Sequence, residues 1–538
     1  MSETTRPWPA LWALVVGFFM ILVDTTIVSV ANPAVMAGLG TDIDAVIWVT
    51  SAYLLTYAAP LLVTGRLGDR FGPKPVYLTG LVVFTLASLA CGLAGSIGVL
   101  IAARAVQGLG AALMTPQTMA VITRMFPPDS RGKAMSLWGA VAGVATLVGP
   151  ILGGVLVDGL GWEWIFFVNV PVGVVAFVLA WRLVPRLETH AHRFDVLGVV
   201  LSALGMFLLV FGIQEGQSYD WGLIGGWLPV WGVVGAGVAV LVAFVWHQAR
   251  TRVEPLLPLG LFRDRNFALA NGAISALGFT VTSMSLPLVF YYQLVLGFSP
   301  TRSALMLAPM AVMTLVLSPV IGRVVDTANP RNIALVGMLL QAGALVWFFL
   351  WLSPDPDQWA RLLLPSAVLG VANACLWSPI SSTATRNLPR AQAGAGSGVF
   401  NTTRQIGSVL GSAAIAALIQ ARLVAELGAG AGESTGAAEA AGSLPPALTS
   451  GFSDAMAQSL LLPAAIALVG AVLVAFFVAP ARGGHGAPAA APASAAVELD
   501  ELVPVLGHHL RRATHPGDRP ARIQRPRHVA LPPPPSSP

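Results

Sequence analysis

The sequence predicts an all-α polytopic membrane protein of about fourteen transmembrane helices, arranged as two six-helix bundles (spans 1–6 and 9–14) with two inserted helices (spans 7–8). Three observations carry that expectation. The 538-residue chain is 55% hydrophobic and only 10% charged, whereas soluble proteins carry about 25% charged residues. Its apolar residues gather into runs of roughly 20, the length that crosses about 30 Å of hydrocarbon. A Gly-Arg-aliphatic-x-Asp pattern also occurs twice, at Gly65–Asp69 and Gly322–Asp326, each at the end of an apolar run.

Residues 1–10 read as a polar cytoplasmic N-terminus. The first apolar run, near 11–32, is longer than the 7–15 residues of a signal-peptide core and reads as a retained helix. Runs near 45–65, 76–95, 98–123, 134–157 and 164–184 complete an N-terminal bundle over 11–184. Runs near 195–214 and 227–247 form the inserted pair, 195–247, whose apolar character favours a peripheral place. Runs near 267–292, 302–322, 332–352, 361–383, 397–420 and 456–478 build a C-terminal bundle over 267–478, with an extracytoplasmic loop at 421–455. Two stretches, a Gly/Ala-rich one around 423–452 and a Pro/Ala/Arg-rich one over 481–538, are too poor in large apolar residues to make a core. The second is expected to be a disordered cytoplasmic tail. Cys91 and Cys375 each lie inside an apolar run, so neither a disulfide framework nor a metal site is expected.

Basic residues fix the orientation, because they are held on the cytoplasmic side during insertion. One set of alternate loops carries Arg66, Arg70, Lys74, Arg124, Arg131, Lys133, Arg250, Arg323 and Arg386 among others. The opposite set carries only Arg302, Arg361 and Arg422, and gathers acids such as Asp42, Asp158, Glu215 and Asp355. A multi-pass protein of the plasma membrane with both termini cytoplasmic follows. The net charge of +5 therefore reads as membrane topology, with no nucleic-acid partner.

A second echo supports duplication: Phe126-Pro127 precedes the fifth helix of one half and Leu388-Pro389 the fifth of the other. Duplicated membrane bundles place a site between their halves and expose it alternately to each side. Transport is thus the leading expectation. Enzyme chemistry is not expected, since the sequence holds no His-x-x-x-His, no Glu-x-x-His and no intramembrane cluster of His, Asp and Glu.

A charge at a helix centre costs about 2.5–3.5 kcal/mol on insertion scales, so each needs a reason. Asp24, Arg104 and Arg404 are the three. Asp24 lies about 20 Å up span 1 and Arg104 about 9 Å down span 4 at 1.5 Å per residue, which sets them at similar depth. Burial disfavours a charged carboxylate and a nearby guanidinium favours it, so a small rearrangement can move a proton. Asp24 and Arg104 are the proton-coupling candidates; a fixed ion pair, or two charges that never meet, is the other reading. Arg104 would tune the site without carrying the proton, because Arg stays charged.

Gln107 shares the helix face of Arg104, and span 13 carries Ser397, Asn401, Arg404, Gln405, Ser408 and Ser412 on one face. A stripe of that kind either lines a cavity or makes interhelical hydrogen bonds. The substrate pathway is accordingly assigned to Gln107, Asn401, Arg404, Gln405 and Ser408. The loop from Gly65 to Lys74 is the densest local signal, with Gly65, Asp69, Arg70, Gly72 and Lys74 as a conformational latch: glycines for a tight reversal, and Asp69 to cap the next helix or pair with arginines. Gly139, Gly143, Gly149, Pro150, Gly153 and Gly154 of span 5 permit close packing, with a kink expected at Pro150.

These motifs together resemble the major facilitator superfamily, and within it the fourteen-helix drug:proton antiporter branch, over about residues 10–480. Gly65 through Lys74 is similar to the loop 2–3 signature, and Arg104, Gln107, Gly108 and Gly110 to the helix 4 signature. Gly149-Pro150-Ile151-Leu152-Gly153-Gly154 resembles the exporters' helix 5 signature, and Asp24-Thr25-Thr26, Trp162 through Pro171 and Asn401 through Gln405 resemble marks of the branch. The resemblance implies efflux of drugs, antibiotics or other amphipathic molecules in exchange for protons. No cofactor is implied beyond the proton motive force; the partners are the small-molecule substrate, protons and the lipid bilayer, and the chain is expected to act as a monomer. Membrane carboxylates that members handling dications often carry in the second half are missing from spans 9–14, which leaves monocations, neutral drugs or a secreted natural product. A dedicated exporter of one endogenous metabolite, peptide or lipid precursor, or a transport-inactive sensor or scaffold, are the competing readings.

Overall fold

The computed structural model describes residues 7–41, 43–127, 130–187, 189, 195–219, 221–251, 255–389, 392–427 and 445–478. The predicted tail at 481–538 and the middle of the predicted loop fall outside those residues. The first half of the chain forms α1 (Pro7–Leu39), α2 (Ile43–Ala58), α3 (Leu61–Phe71), α4 (Pro73–Gly92), α5 (Ile97–Met125), α6 (Arg131–Leu160), α7 (Trp164–Phe167) and α8 (Asn169–Leu183). Then come α9 (Val196–Ser218) and α10 (Val230–Arg250), joined by a two-residue antiparallel pair, β1 (Leu223–Ile224) and β2 (Leu228–Pro229). The second half forms α11 (Arg265–Phe290), α12 (Pro300–Leu305), α13 (Ala308–Thr327), α14 (Pro330–Trp351), α15 (Leu363–Thr385), α16 (Ala393–Leu427), α17 (Pro446–Ser459) and α18 (Leu461–Ala475).

Twelve helical segments among the described residues are long and apolar enough to cross a membrane, so this is a multi-pass membrane protein. The second predicted span arrives as two helices, α2 and α3, parted at Ala59-Pro60, where proline removes a backbone donor. The fifth is the single 30-residue helix α6, which runs on through Pro150.

Two expectations need correction. Gly65–Lys74 is not a loop: residues through Phe71 stay helical, and the chain reverses at Gly72 alone, whose φ of 89° suits a residue without Cβ, before Pro73 opens α4. The predicted loop at 421–455 is helical at both ends, since α16 reaches Leu427 and α17 starts at Pro446. Leu423, Phe452 and Ala455 are buried in one apolar cluster with Met456 and Leu460. Leu448, Phe452 and Met456 recur at helical spacing, so the segment had a core face that its small residues masked.

Packing between the halves is reciprocal. The end of α3 lies against the start of α16, and the end of α13 against the start of α6. Gly65 permits the first approach, since a Cβ there would strike the carbonyl oxygen of Gly394; Gly322 permits the second, facing Ser136 and Lys133. The two copies of the sequence pattern thus do the same job in opposite halves, although the side chain of Asp326 lies outside the described residues. Trp138 of α6 is buried, stacked on Phe18 at 4.8 Å and edge-on to Trp377 at 5.8 Å.

At the arginine-rich end, Arg131 Nη1 donates to Thr385 O (2.7 Å) and Ser378 Oγ to Gly132 O (2.8 Å), joining the halves again. The inserted pair is clipped there too. Asp195 accepts from the Gly198 amide (2.9 Å) and from Gln248 Nε2 (2.7 Å), and lies 2.9 Å from His247 Nε2. Burial pushes its carboxyl up, but the hydrogen bonds from His247, Gly198 and Gln248 outweigh it and hold the group below the usual carboxylate range. Gln248 also accepts from the amide of Leu257 (3.1 Å), and Arg66 donates to the carbonyls of Pro255 and Leu256, so a polar chain runs from the inserted pair to α3.

Candidate transport site

Asp24 sits mid-way along α1, where the helix satisfies the backbone and the carboxylate is fully buried. Its partners come from two other helices, α5 and α8. Arg104 Nη1 of α5 donates to Asp24 Oδ2 at 2.6 Å, while Gln107 Nε2 of α5 and Asn169 Nδ2 of α8 both donate to Asp24 Oδ1 at 2.9 Å. Arg104 and Gln107 are three residues apart and so share a face of α5, which lets Arg104 Nη1 also reach Gln107 Oε1 at 2.7 Å. Arg104 Nε donates to Val49 O of α2 (3.2 Å), and the guanidinium lies 4.2 Å from the Tyr53 ring centroid. Asn169 is held in turn by Ser88 Oγ (3.1 Å), which donates to Phe166 O (2.9 Å). Asp24, Arg104 and Gln107 have no solvent-accessible surface. Removing one partner of such a pair costs about 3–5 kcal/mol, because the other charge is left buried and unpaired.

Beside this cluster lies a cavity of about 390 Å³, enough for a drug-sized molecule. Thr25, the residue after Asp24, lines it with Ile21 and Leu22 of α1, Ser51, Leu54 and Tyr57 of α2, and Thr282 of α11. From α16 come Arg404, Gln405, Ser408 and Ser412, as the polar stripe predicts. Gln107 and Asn401 are not among the lining residues: Gln107 belongs to the ion-pair cluster, and buried Asn401 donates Nδ2 to Ser397 O (2.9 Å) within its own helix. Nor is α9 peripheral. It fits between α2 and α16 through Leu55, Ala58, Met206, Val210, Ile213 and Val409, and sends Ile213 and Gln214 into the cavity wall. Gln214 is the first polar residue after a long apolar stretch of α9, which was its signal in the sequence.

The latch residues gather at the arginine-rich end. Asp69 Oδ1 is 2.5 Å from Arg124 Nη2 and accepts from the Gly394 amide (2.8 Å), while Oδ2 accepts from the Ala395 amide (2.8 Å). A carboxylate from the first half therefore caps the N-terminus of α16 in the second, where the free amides and helix dipole favour a negative charge. The sequence reading had Asp69 capping the following helix or pairing with arginines; it makes the pair, but caps a helix 325 positions away. Arg66 approaches Asp69 at 4.0 Å, Arg70 lies over the Phe71 ring at 5.2 Å, and Lys74 Nζ donates to Trp181 O of α8 at 2.6 Å.

The family model described as Major Facilitator Superfamily matches residues 14–412. The chain belongs to the major facilitator superfamily. An uncharacterized MFS-type transporter of Mycobacterium tuberculosis is 52% identical over 480 residues, covering 89% of this chain and 82% of that protein. The tetracenomycin C resistance and export protein of Streptomyces glaucescens is 36% identical over 412 residues, 76% of this chain and 75% of that protein. Among solved structures, the human organic anion transporter MFSD10 superposes with a TM-score of 0.56 at 14% identity, covering 87% of this chain and 99% of that one; the likeness is one of fold.

In this superfamily member the span 5 glycines serve close approach. Gly149 of α6 lies against Val23 and Thr26 of α1, so a side chain there would displace the helix that carries Asp24. Gly153 is buried and Pro150 half-buried in the same stretch, while Gly154 faces Thr301 at 3.3 Å from an added Cβ. Sequence reasoning missed Asn169 as a partner of Asp24, although it stood in the Trp162–Pro171 motif. It also missed Thr25 and Tyr57, ordinary polar residues of apolar helices whose exposure to a cavity depends on which face the bundle leaves open.

Proposed function

We propose that this protein exports drugs, antibiotics or other amphipathic small molecules across the plasma membrane by alternating access, in exchange for protons. The observation that carries the reading is the placing of Asp24: its carboxylate is closed against Arg104, while the next residue, Thr25, lines the cavity. Protonation of Asp24 would cancel the attraction that holds Arg104 and loosen α1 against α5, at the wall a substrate touches. The Asp69 cap would hold the arginine-rich end closed until that rearrangement. The name of the tetracenomycin exporter supports efflux as the direction.

In this reading the arginine-rich end is cytoplasmic, as are residues 1–10 and 481–538. Counting α2 with α3 and α6 as spans gives fourteen, with α9 and α10 inserted between bundles at 11–184 and 267–478. The proton motive force is the energy source, no cofactor takes part, the chain works as a monomer in the bilayer, and nucleic acid has no role. A dedicated exporter of one secreted compound is the second reading, favoured by the single compound in the same relative's name.

The test is substrate-driven proton release from inverted vesicles, scanning lipophilic cations, neutral antibiotics and organic anions, with Asp24→Asn beside the parent. Flux that Asp24→Asn abolishes at equal expression supports the reading. Flux that survives the substitution moves proton coupling elsewhere.

A further inference from the structure

We propose that the cavity selects anionic amphiphiles, weak acids with a carboxylate or phenolate on an aromatic or apolar frame, and that Arg404 is the residue that recognises the charge. The inference rests on the exporter reading for its direction of transport but not for its chemistry. Arg404 is the one formal charge among the described residues that line the cavity. Its Nε is buried with no hydrogen-bond partner, a charged donor left open at the cavity wall. A guanidinium stays charged under all conditions of life and presents a planar fork that matches a carboxylate with two parallel hydrogen bonds.

Among the described residues, none of those lining the cavity gives it a counter-charge. Asp24 neighbours the lining residue Thr25, but it is closed against Arg104, and that pair carries no net charge. Glu215 neighbours Gln214 without lining the cavity. A cation would therefore meet a like charge in a low-dielectric wall, which costs more there than in water. Ser408, one turn beyond Arg404 on the same face of α16, and Gln214 of α9 offer further donors to an acceptor-rich ligand. Ile21, Leu54 and Val409 supply the apolar wall for its frame.

An anionic cargo also changes the energetics of exchange. An anion leaving and a proton entering both move positive charge inward, so an inside-negative potential drives both, whereas exchange of one monocation for one proton moves no net charge.

Two xanthene dyes of similar size and opposite charge, fluorescein and rhodamine 123, separate the possibilities on the purified full-length protein. Fluorescence anisotropy reads binding, and proton-driven flux in proteoliposomes reads transport. Fluorescein is expected to bind at least about tenfold more tightly than rhodamine 123. Arg404→Gln is expected to erase that preference, Arg404→Lys to keep part of it, and Arg404→Glu to reverse it, each checked for native elution and melting. Equal or tighter binding of rhodamine 123, no binding of either dye, or an Arg404→Gln protein that binds fluorescein unchanged, overturns the inference. Arg404-dependent binding of fluorescein without flux leaves the charge selectivity standing and overturns the exporter reading instead.

Discussion

Arg104 Nη1 stands 2.6 Å from Asp24 Oδ2, and neither side chain touches solvent. The pair is held by two amides, a backbone carbonyl and an aromatic face, contributed by α2, α5 and α8. It therefore ties α1 to α5 and α8 through the ionised carboxylate, and any step that protonates Asp24 weakens its bonds from Arg104, Gln107 and Asn169 together.

Asp24→Asn keeps the size of the side chain but strands the guanidinium, and Arg104→Gln strands the carboxylate. Each is expected to lower the unfolding free energy by about 3–5 kcal/mol. The double variant should lose clearly less than the sum, because no charge is left unpaired. Thermal melts of the three purified variants beside the parent give the coupling, and additive losses would mean that the two charges act independently. The double variant should recover stability and still show no proton-coupled flux.

Asp69→Ala removes the acceptor of two α16 amides and the partner of Arg124. Loss of a helix cap costs about 0.5–2 kcal/mol, which favours opening of the arginine-rich end by roughly two- to thirtyfold. A cysteine at Ser397, which is fully buried, reports the opening. In a background lacking Cys91 and Cys375 it should react several times faster with an impermeant maleimide when Asp69 is Ala. An unchanged rate would show that the cap does not hold this end closed.

Gly65→Ala should impair transport more than Gly322→Ala. The added methyl at Gly65 meets the backbone of Gly394 and Gly398, which cannot move aside without shifting α16, whereas at Gly322 it meets first the Ser136 hydroxyl. Initial rates at matched expression decide, and a reversed order would contradict the packing.

The Asp195 clip sets a pH dependence whose sign follows from its depressed pKa. The folded protein binds this proton less readily than the unfolded chain, whose carboxyl titrates near about 3.9. The contribution is thus fully present above about pH 5 and is lost as pH falls through the lower folded value. The melting-temperature gap between the parent and Asp195→Asn should shrink as pH falls below about 4. A gap that does not shrink below about pH 4 would refute the assignment.

Much of the site was legible because hydrocarbon makes charge expensive. Asp24, Arg104 and Arg404 stood out in apolar runs for that reason, and the matched depth of the first two anticipated their contact. Asn169 did not stand out: it lies 145 positions from Asp24 at a helix start, where a polar residue has many ordinary explanations. Gly65 and Asp69 were visible as a recurring pattern, yet their true partners, the first residues of α16, could not be read from a pattern within one segment.

By itself the sequence determined the membrane class, the helical segments, the orientation signal and the identity of the unusual charges, because each depends on local composition and on the cost of moving it out of water. The tertiary structure alone decided who meets whom: that Asp69 caps a helix of the opposite half, that α9 enters the cavity wall, and that Gln107 leaves the pathway for the ion pair. Those outcomes depend on how helices far apart in sequence pack, where a few ångströms of rotation decide whether a polar group faces a neighbour, the cavity or lipid.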